Sequence, residues 1–300
     1  MSTWIGLDVG DTNLRAAIVD EKGQLLHVTK VETLAHLGPE AVLARVAAAV
    51  KALPGWESAK SIGMGIPGGV TRDGQTTVLA TNLPGFDGFF VRDYLSHLLP
   101  MPVVMENDAN LACLAEAKLG AGQGMYMVVY ITISTGIGGG ICVNGSLLKG
   151  MHGCAGEFGN MSCDPHRKPI YGLPPGAIES EVSGESLTRK AKAKLKLPFA
   201  HAGEVYDLAA KGHGGAIAVI DQAAFDLAVT FANIASVLDP DIFIVGGGCL
   251  KSADILLPRL KAAYKEFAHP AVLDIPIKQA ALEEPGLIGA ALYARENGRH

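Results

Sequence analysis

The chain has 300 residues, a length beyond the size at which a single hydrophobic core stops growing, so we expect two domains. Apolar residues make up 49% of the chain and charged residues 18%, which is enough apolar surface for a large core. The net charge is −5 and no block of basic residues occurs, which argues against a nucleic-acid partner and against electrostatic binding to a membrane.

The sequence also argues against secretion and membrane insertion. The first residues, "MSTWIGLDVG", contain neither a basic region nor a long apolar segment, and no apolar run reaches the ~18 residues of a membrane span. The five cysteines are scattered, odd in number and form no C-x-x-C pair, which is typical of reduced thiols. We therefore expect a cytoplasmic protein.

Strand and helix patterns alternate along the chain, which predicts the α/β class. In chain order we predict strands at 3–33, a helix at 38–53, a strand and hairpin at 61–81, a strand and helix at 103–120, strands at 125–150, an irregular segment at 151–180, a long apolar helix at 215–238, a strand with a glycine turn at 239–250, and a final helix. We place a small first domain at residues 1–118 and a larger second domain at 119–285. The final helix, at about 286–300, is expected to pack back on the first domain.

An internal repeat supports a two-fold organisation. The stretches "LDVGDTNLRAAIVDEKGQLL" and "ITISTGIGGGICVNGSLL" share an apolar strand, a turn with Gly and Thr, a second strand, a Gly turn and a Leu-Leu return. Each stretch opens one half of the chain. The alternative is a chance similarity between two β-hairpins.

Three glycine-rich turns follow apolar strands. Backbone N–H groups in such turns approach phosphate closely, although Gly is also common in ordinary turns. Three turns in equivalent places favour a nucleotide site. They lie at residues 10–12, 134–140 and 246–248.

The two best-known nucleotide signatures do not fit this chain. No G-x-x-x-x-G-K-[ST] stretch occurs, so a P-loop is excluded. A G-x-G-x-x-G stretch occurs at residues 63–68, but the following "GGVTRDGQTT" has a hairpin pattern where a Rossmann fold needs a helix. A dinucleotide dehydrogenase is therefore a minor alternative.

Polar residues are concentrated where the strand at residues 103–105 meets the next helix. The stretch "ENDAN", residues 106–110, holds two carboxylates and two amides, more than a helix N-cap requires. Ligands of open α/β sheets bind outside the carboxyl ends of strands, where a carboxylate is a candidate general base. A purely structural capping role remains the alternative.

The ordered motifs "LDVGDTNLR", "GIPGGV", "ENDAN", "ISTGIGGG", "GEFGN" and "IVGGG" resemble the ROK family of sugar kinases and sugar-responsive repressors over essentially the full length. The resemblance implies an actin-like, hexokinase-like ATPase fold with two α/β domains flanking a cleft. Repressors of the family carry an N-terminal helix-turn-helix domain. Here the first strand begins at about Trp4, so we expect a kinase.

The resemblance assigns roles residue by residue. Asp108 is implied to be the catalytic base, and Asp8 to hold Mg²⁺ through water. The implied sugar contacts are Gly68, Asn82, Asn107, Glu157, Asn160 and Glu179, with Asn82 in "ATNLPGF", residues 80–86. The implied nucleotide loops contain Gly10, Asp11, Thr12, Thr135, Gly136, Gly246 and Gly247.

The chain departs from the family pattern in two places. The family's zinc-binding His is replaced by Asn160, and its three Cys positions hold Ile170, Gly172 and Ala177, so we predict no zinc. We expect residues 168–184 to be ordered by packing and by prolines. In the first loop, Asp11 stands where the family has Gly, and its carboxylate would repel phosphates unless it faces away or meets Mg²⁺.

The sequence thus predicts an ATP- and Mg²⁺-dependent hexose kinase that resembles ROK glucokinases, with a homodimer implied by the resemblance. A non-catalytic sugar-sensing protein is the alternative from another class. Mannose, N-acetylmannosamine, allose, fructose or a β-glucoside are alternatives to glucose as the substrate, and polyphosphate is an alternative to ATP as the donor.

Overall fold

The computed structural model describes residues 2–80 and 82–298, which form two compact units. Unit 1 comprises Met1–Gly124, Gly140–Gly156 and Ala281–His300, and unit 2 comprises Met125–Gly139 and Glu157–Ala280. Unlike the sequence-based division, these units place Gly140–Gly156 with the N-terminal part. The predicted domain boundaries at residues 118 and 285 stay a prediction, since a compact unit need not be a separately folding domain.

The secondary structure alternates as an α/β protein requires. The strands are β1 (Thr3–Val9), β2 (Asn13–Asp20), β3 (Leu25–Glu32), β4 (Ile62–Ile66), β5 (Gly69–Val70), β6 (Thr77–Val78), β7 (Val103–Asn107), β8 (Met127–Ile133), β9 (Ile137–Val143), β10 (Ser146–Leu147), β11 (Ile242–Gly246) and β12 (Ile277–Gln279). The α-helices are α1 (Pro39–Lys51), α2 (Val91–Leu98), α3 (Asp108–Leu119), α4 (Ile178–Val182), α5 (Gly184–Leu195), α6 (Ala202–Ala210), α7 (Gly214–Leu238), α8 (Ala253–Phe267) and α9 (Pro285–Asn297). The predicted α/β class is confirmed.

Two five-stranded sheets have the same layout. The first has the order β3-β2-β1-β4-β7 and the second the order β10-β9-β8-β11-β12. In the first sheet β4 is parallel to β1 and β7 to β4, and in the second β11 is parallel to β8 and β12 to β11. The internal repeat detected in the sequence therefore corresponds to a repeated sheet, and the chance-similarity alternative is rejected.

Helix α7 is long and apolar enough to cross a membrane by length and composition alone. However, 61% of its most apolar window is buried. The helix packs against α8, α5, α6 and α4, and the ring of Phe231 lies 4.7 Å from that of Phe243 in β11. These contacts identify α7 as the core helix of unit 2.

A buried carboxylate ties the last segment of unit 1 to helix α3. Glu116 is fully buried, and its oxygens accept backbone N–H bonds from Ala121 at 2.9 Å, Ala281 at 3.1 Å and Leu282 at 2.8 Å. Hydrogen bonds from three backbone donors satisfy a carboxylate that water does not reach. Glu116 thereby fixes the chain just before α9 begins.

Glycines allow helix α9 to lie directly on its neighbours. A Cβ on Gly6 of β1 would overlap with the carbonyl of Leu287, and a Cβ on Gly63 of β4 with that of Ala290. On the helix itself, a Cβ on Gly289 would overlap with the carbonyl of Leu111 in α3. Since backbone atoms cannot retreat as a flexible side chain can, these positions require glycine.

We expect Gly289→Ala to lower the free energy of unfolding by about 2–3 kcal/mol, because the added methyl group must push α9 away from α3. The matched control is Gly214→Ala at the start of α7, where an added Cβ meets no atom within 4 Å. The control should change stability by less than about 0.5 kcal/mol. Urea unfolding measures the free energy of unfolding of both variants. Equal values for Gly289→Ala and Gly214→Ala would contradict the close backbone packing of α9 on α3.

Candidate active site

The carboxyl ends of three parallel strands bring predicted site residues to one edge of the unit 1 sheet. Asp8 of β1 pairs with Gly65 of β4, and Ile66 of β4 pairs with Asn107 of β7. Ligands of open α/β sheets bind at such an edge. Asp8, the turn after β4, and Asn107 therefore lie at the edge where a ligand is expected.

Asn107 joins β7 to α3 and caps the helix. Its Oδ1 accepts from the backbone N–H of Asn110 at 3.0 Å, which is the N-cap bond, and its Nδ2 donates to the carbonyl of Gly68 at 3.0 Å. Asp108 is the first residue of α3, is half-buried, and its Oδ1 accepts from the backbone N–H of Ala109 at 2.8 Å. Asn107 therefore supplies the N-cap bond of α3, and Asp108 follows it as the first helical residue.

The turn after β4 is built around Gly68. Its φ is 87°, and a Cβ there would lie 2.9 Å from the backbone of Ala80, so glycine is required. Strands β5 and β6 then form an antiparallel hairpin directly after β4, at the place where a Rossmann fold would have a helix. The Rossmann interpretation of residues 63–68 is thus rejected. Asn82 lies in an exposed loop of unit 1, whereas Thr81 lies outside the described residues.

In the first glycine loop, the carboxylate of Asp11 is bonded to a neighbouring residue of the same loop. The N–H of Gly10 donates to the carbonyl of Asn13 at 3.0 Å. The Oδ1 of Asp11 accepts from the backbone N–H of Thr12 at 2.7 Å and from its Oγ1 at 3.1 Å. Asp11, which replaces the glycine of the family pattern, therefore forms its hydrogen bonds within its own loop.

Asp8 belongs to an ion-pair network. Arg15 of β2 pairs with both Asp8 and Glu284, the residue before α9. Burial would lower the pKa of Arg15, but the charges and hydrogen bonds of the two carboxylates outweigh burial and raise that pKa. Arg15 thus holds the Asp8 carboxylate in one orientation.

In unit 2, the other two glycine loops follow the parallel strands β8 and β11. Gly247 has a φ of 93°, and a Cβ there would overlap with the carbonyl of Ile133 at the end of β8. A cavity of about 1140 Å³ opens beside both loops and is lined by Thr135 and Gly248. In the sequence, Gly136 directly follows Thr135, and Gly246 lies two residues before Gly248.

Other residues that line this cavity were not predicted from the sequence. They are Arg189 and Lys192 of α5, Tyr206 of α6 and the loop residue Tyr171. The guanidinium carbon of Arg189 lies 5.9 Å from the centre of the Tyr171 ring. The sequence offered one indication of this lining, the two basic residues of α5 that lie three positions apart. The same spacing is also found on ordinary solvent-exposed helix faces.

Glu157 and Glu179 lie close together in unit 2. The Oε2 of Glu179 accepts from the backbone N–H of Ile137 at 2.7 Å, and a Cβ on Gly136 would lie 2.7 Å from the same oxygen. Partial burial and the charge of Glu179 raise the pKa of Glu157. Asn160 is exposed and bonded through its N–H to the carbonyl of Glu157 at 3.3 Å.

An ion-pair network organises the segment after Asn160. The guanidinium of Arg167 donates to Glu181 at 2.7 Å, to both carboxylate oxygens of Asp226 at 2.7 Å, and to Asp164 at 3.3 Å. Lys190 of α5 also pairs with Glu181. The sequence predicted order from packing and prolines, and it missed this network because its members are distant along the chain.

Within residues 2–80 and 82–298 no group of three or more His, Cys, Asp or Glu side chains is arranged to hold a metal ion. The thiol of Cys163 instead donates to the carbonyl of Gly176 at 3.2 Å. The absence of zinc stays a prediction.

The predicted site residues fall into two groups. Unit 1 contains Asp8, Gly10, Asp11, Thr12, Gly68, Asn82, Asn107 and Asp108. Unit 2 contains Thr135, Gly136, Glu157, Asn160, Glu179, Gly246 and Gly247.

Comparison with known proteins decides the family. A model of the ROK family matches residues 4–297. This chain belongs to the ROK family. It is 32% identical to a glucokinase of Halalkalibacterium halodurans, covering 98% of this chain and 95% of that protein. It is 31% identical to an N-acetylmannosamine kinase of Yersinia pseudotuberculosis, covering 98% of this chain and 99% of that protein.

The fold agrees with this membership. The crystal structure of a ROK family glucokinase from Streptomyces griseus, in complex with glucose and AMPPNP, is 29% identical and superimposes with a TM-score of 0.87 over 99% of this chain and 100% of that one. The actin-like, hexokinase-like fold implied by the ROK motifs is therefore confirmed.

We expect Arg167→Met to lower the free energy of unfolding by about 3–5 kcal/mol, because two buried carboxylates, Glu181 and Asp226, are then left to share the single charge of Lys190. The control Arg259→Met removes an ion pair with Asp221 in which the side chains are 35% and 56% exposed, and it should cost less than about 1 kcal/mol. Chemical denaturation of both variants measures the difference. A loss for Arg167→Met as small as that of the control would contradict the role of the network.

Glu157 supplies a pH dependence whose sign follows from its raised pKa. The carboxyl group of Glu157 binds its proton more tightly in the folded protein than in the unfolded chain. Protonated Glu157 therefore stabilises the folded state fully below the ordinary pKa of about 4.3, and this stabilisation is lost as the pH rises through the raised pKa. We expect the stability of Glu157→Gln relative to wild type to increase from about pH 4 to pH 7. Thermal unfolding across this range tests it, with Glu266→Gln on the exposed face of α8 as a control.

Proposed function

We propose that this ROK protein is an ATP-dependent sugar kinase that transfers the γ-phosphoryl group of ATP to a hexose hydroxyl. The observation that carries the proposal is the placement of Asp108 at the carboxyl end of β7, with the neighbouring Asn107 capping α3. The relatives named glucokinase and N-acetylmannosamine kinase, matched along almost their whole length, support it.

Asp108 would accept the proton of the attacking hydroxyl. Phosphoryl transfer needs positioning and charge neutralisation more than a strong base, since little proton transfer is required early in a loose transition state. The N-terminus of α3 favours the anionic form of the carboxylate. These requirements fit a half-buried aspartate at a helix start.

Several residues of both units have the chemistry that sugar hydroxyls require. In unit 1 we assign this role to the side chains of Asn107 and Asn82 and to the backbone of Gly68, and in unit 2 to the side chains of Glu157, Asn160 and Glu179. Amides and carboxylates suit hydroxyls, which both donate and accept hydrogen bonds. A polar partner left unpaired by the wrong sugar costs binding energy, which is how such sites discriminate.

The residues present fit a nucleotide. In unit 2 the cavity is large enough for one, Gly247 keeps the loop clear of side-chain atoms, and Arg189 and Lys192 contribute positive charge. We assign phosphate and adenosine contacts to Thr135, Gly136, Gly246 and Gly247. In unit 1 we assign phosphate contacts to Gly10 and Thr12 of the first loop, and to Asp11 the role of holding Thr12 through its carboxylate.

A divalent metal also fits the donor set. The carboxylate of Asp8, held by Arg15, is the kind of oxygen ligand that Mg²⁺ takes together with water. Bound Mg²⁺ would neutralise the charge that the phosphates carry. We further propose a cytoplasmic homodimer with two domains divided near residues 118 and 285, on the resemblance to the family.

Asp108→Asn should lower kcat by about 10²–10⁴-fold, because the amide cannot accept the hydroxyl proton. The assay measures ADP release from MgATP with each candidate acceptor in turn: glucose, mannose, N-acetylmannosamine, allose, fructose and a β-glucoside. The control Asp93→Asn changes an exposed aspartate in the first turn of α2 and should keep the wild-type kcat.

Heat stabilisation by each sugar is measured in parallel. A wild type that is stabilised by a sugar but phosphorylates none, with ATP or with polyphosphate, would reassign the protein to the sugar-sensing class. Full turnover by Asp108→Asn would remove Asp108 from the catalytic role.

A further inference from the structure

A fully buried carboxylate, paired with a half-buried lysine, immediately precedes the proposed catalytic residues Asn107 and Asp108 in the chain. Glu106 of β7 is 0% exposed, and the Nζ of Lys149 lies 2.9 Å from its Oε2. The contact is an ion pair rather than a well-aligned hydrogen bond. Lys149 also donates to the hydroxyl of Tyr293 in α9 at 3.0 Å, and its Nζ lies 5.6 Å from the centre of that ring.

The other oxygen of Glu106 holds the backbone around Asp108. Its Oε1 accepts from the backbone N–H of Asn107 at 3.0 Å and from the Nδ2 of Asn110 at 3.1 Å. Asn110 in turn donates its backbone N–H to Oδ1 of Asn107. The residues on both sides of Asp108 are therefore fixed by one carboxylate.

This arrangement depends on a cation. A carboxylate that is out of contact with water stays ionised only when it is paired, and otherwise it takes up a proton or moves toward solvent. A protonated side chain would donate as well as accept, and a side chain turned toward solvent would leave Asn107 and Asn110 without this acceptor. Burial would lower the pKa of Lys149, but the charge of Glu106 outweighs burial and raises it, so the ammonium stays charged at neutral pH.

We propose that Lys149 is a positioning residue for the phosphoryl transfer: paired with Glu106, it fixes the backbone at Asn107 and the first turn of α3, and thereby the direction of the Asp108 carboxylate. The proposal rests on the proposed kinase function. Lys149 itself lies on the segment Gly140–Gly156 of unit 1, far along the chain from β7.

The first test is Lys149→Met, which keeps the length of the side chain and removes its charge. We expect kcat to fall about 10–100-fold, since a small displacement of a catalytic group has an effect of this size, with the KM for MgATP within about threefold of wild type. Rates are measured well below the melting temperature of each variant, so that unfolding does not enter kcat.

The matched control is Lys118→Met. Lys118 is also a lysine of unit 1 that pairs with a glutamate, Glu296 of α9, and its side chain is 24% exposed against 26% for Lys149. Lys118 lies in the last turn of α3, at the opposite end of that helix from Asp108, so Lys118→Met should keep the wild-type kcat. A wild-type kcat in Lys149→Met, or an equal loss in both variants, would overturn the proposal.

Two further variants separate positioning from simple stabilisation. Lys149→Arg keeps the charge and should recover part of kcat. The double variant Glu106→Gln with Lys149→Met removes both charges but keeps an oxygen acceptor for Asn107 and Asn110, so it should exceed the kcat of Lys149→Met. A double variant no faster than Lys149→Met contradicts the proposed chain of contacts.

A structural readout does not depend on kinase activity. In a crystal structure of Lys149→Met we expect the Asn107 N–H to Glu106 bond to be lost and the Asp108 carboxylate to be displaced from its wild-type position. Superimposable Asn107 and Asp108 would overturn the inference. If the wild type phosphorylates no sugar, the kinase assignment fails, while this structural result still decides whether Lys149 positions Asp108.

Discussion

The parallel pairing of β1, β4 and β7 is the constraint on which the candidate site of unit 1 depends. Parallel strands end at a common edge, so their register alone brings Asp8, the Gly68 turn and Asn107 to one side of the sheet. The repeated layout of the second sheet does the same for the loops after β8 and β11. Residues distant in sequence thus meet through backbone hydrogen bonds before any side-chain contact is considered.

Buried carboxylates accept hydrogen bonds from the backbone of the turns at the ends of strands and helices. Glu106 binds the N–H of Asn107 beside the proposed base, and Glu116 binds three N–H groups at the turns after α3 and before α9. Each side chain provides acceptors where no regular hydrogen-bond ladder continues. In unit 2, the half-buried Glu179 also binds a backbone N–H, that of Ile137 in the second glycine loop.

Local patterns allowed the α/β class, the internal repeat and the polar strand end to be predicted from the sequence. Alternation of strands and helices is encoded within short windows, and so are the glycine turns. The Arg167 network, the Glu106–Lys149 pair and the α5 wall of the cavity were not predictable in this way. Their members lie far apart along the chain, and a basic residue on a helix has the same local pattern whether it binds a carboxylate, a ligand or water.

The order of the elements along the chain has a consequence for biosynthesis. Helix α9 lies against β1, β4 and α3, yet it is the last of the described helices to leave the ribosome, after all of unit 2 has been translated. Until then the glycine-lined surface of β1 and β4 lacks its covering helix. Unit 1 therefore cannot complete its core during translation, although its strands are synthesised first, and the nascent chain needs protection of this surface from aggregation.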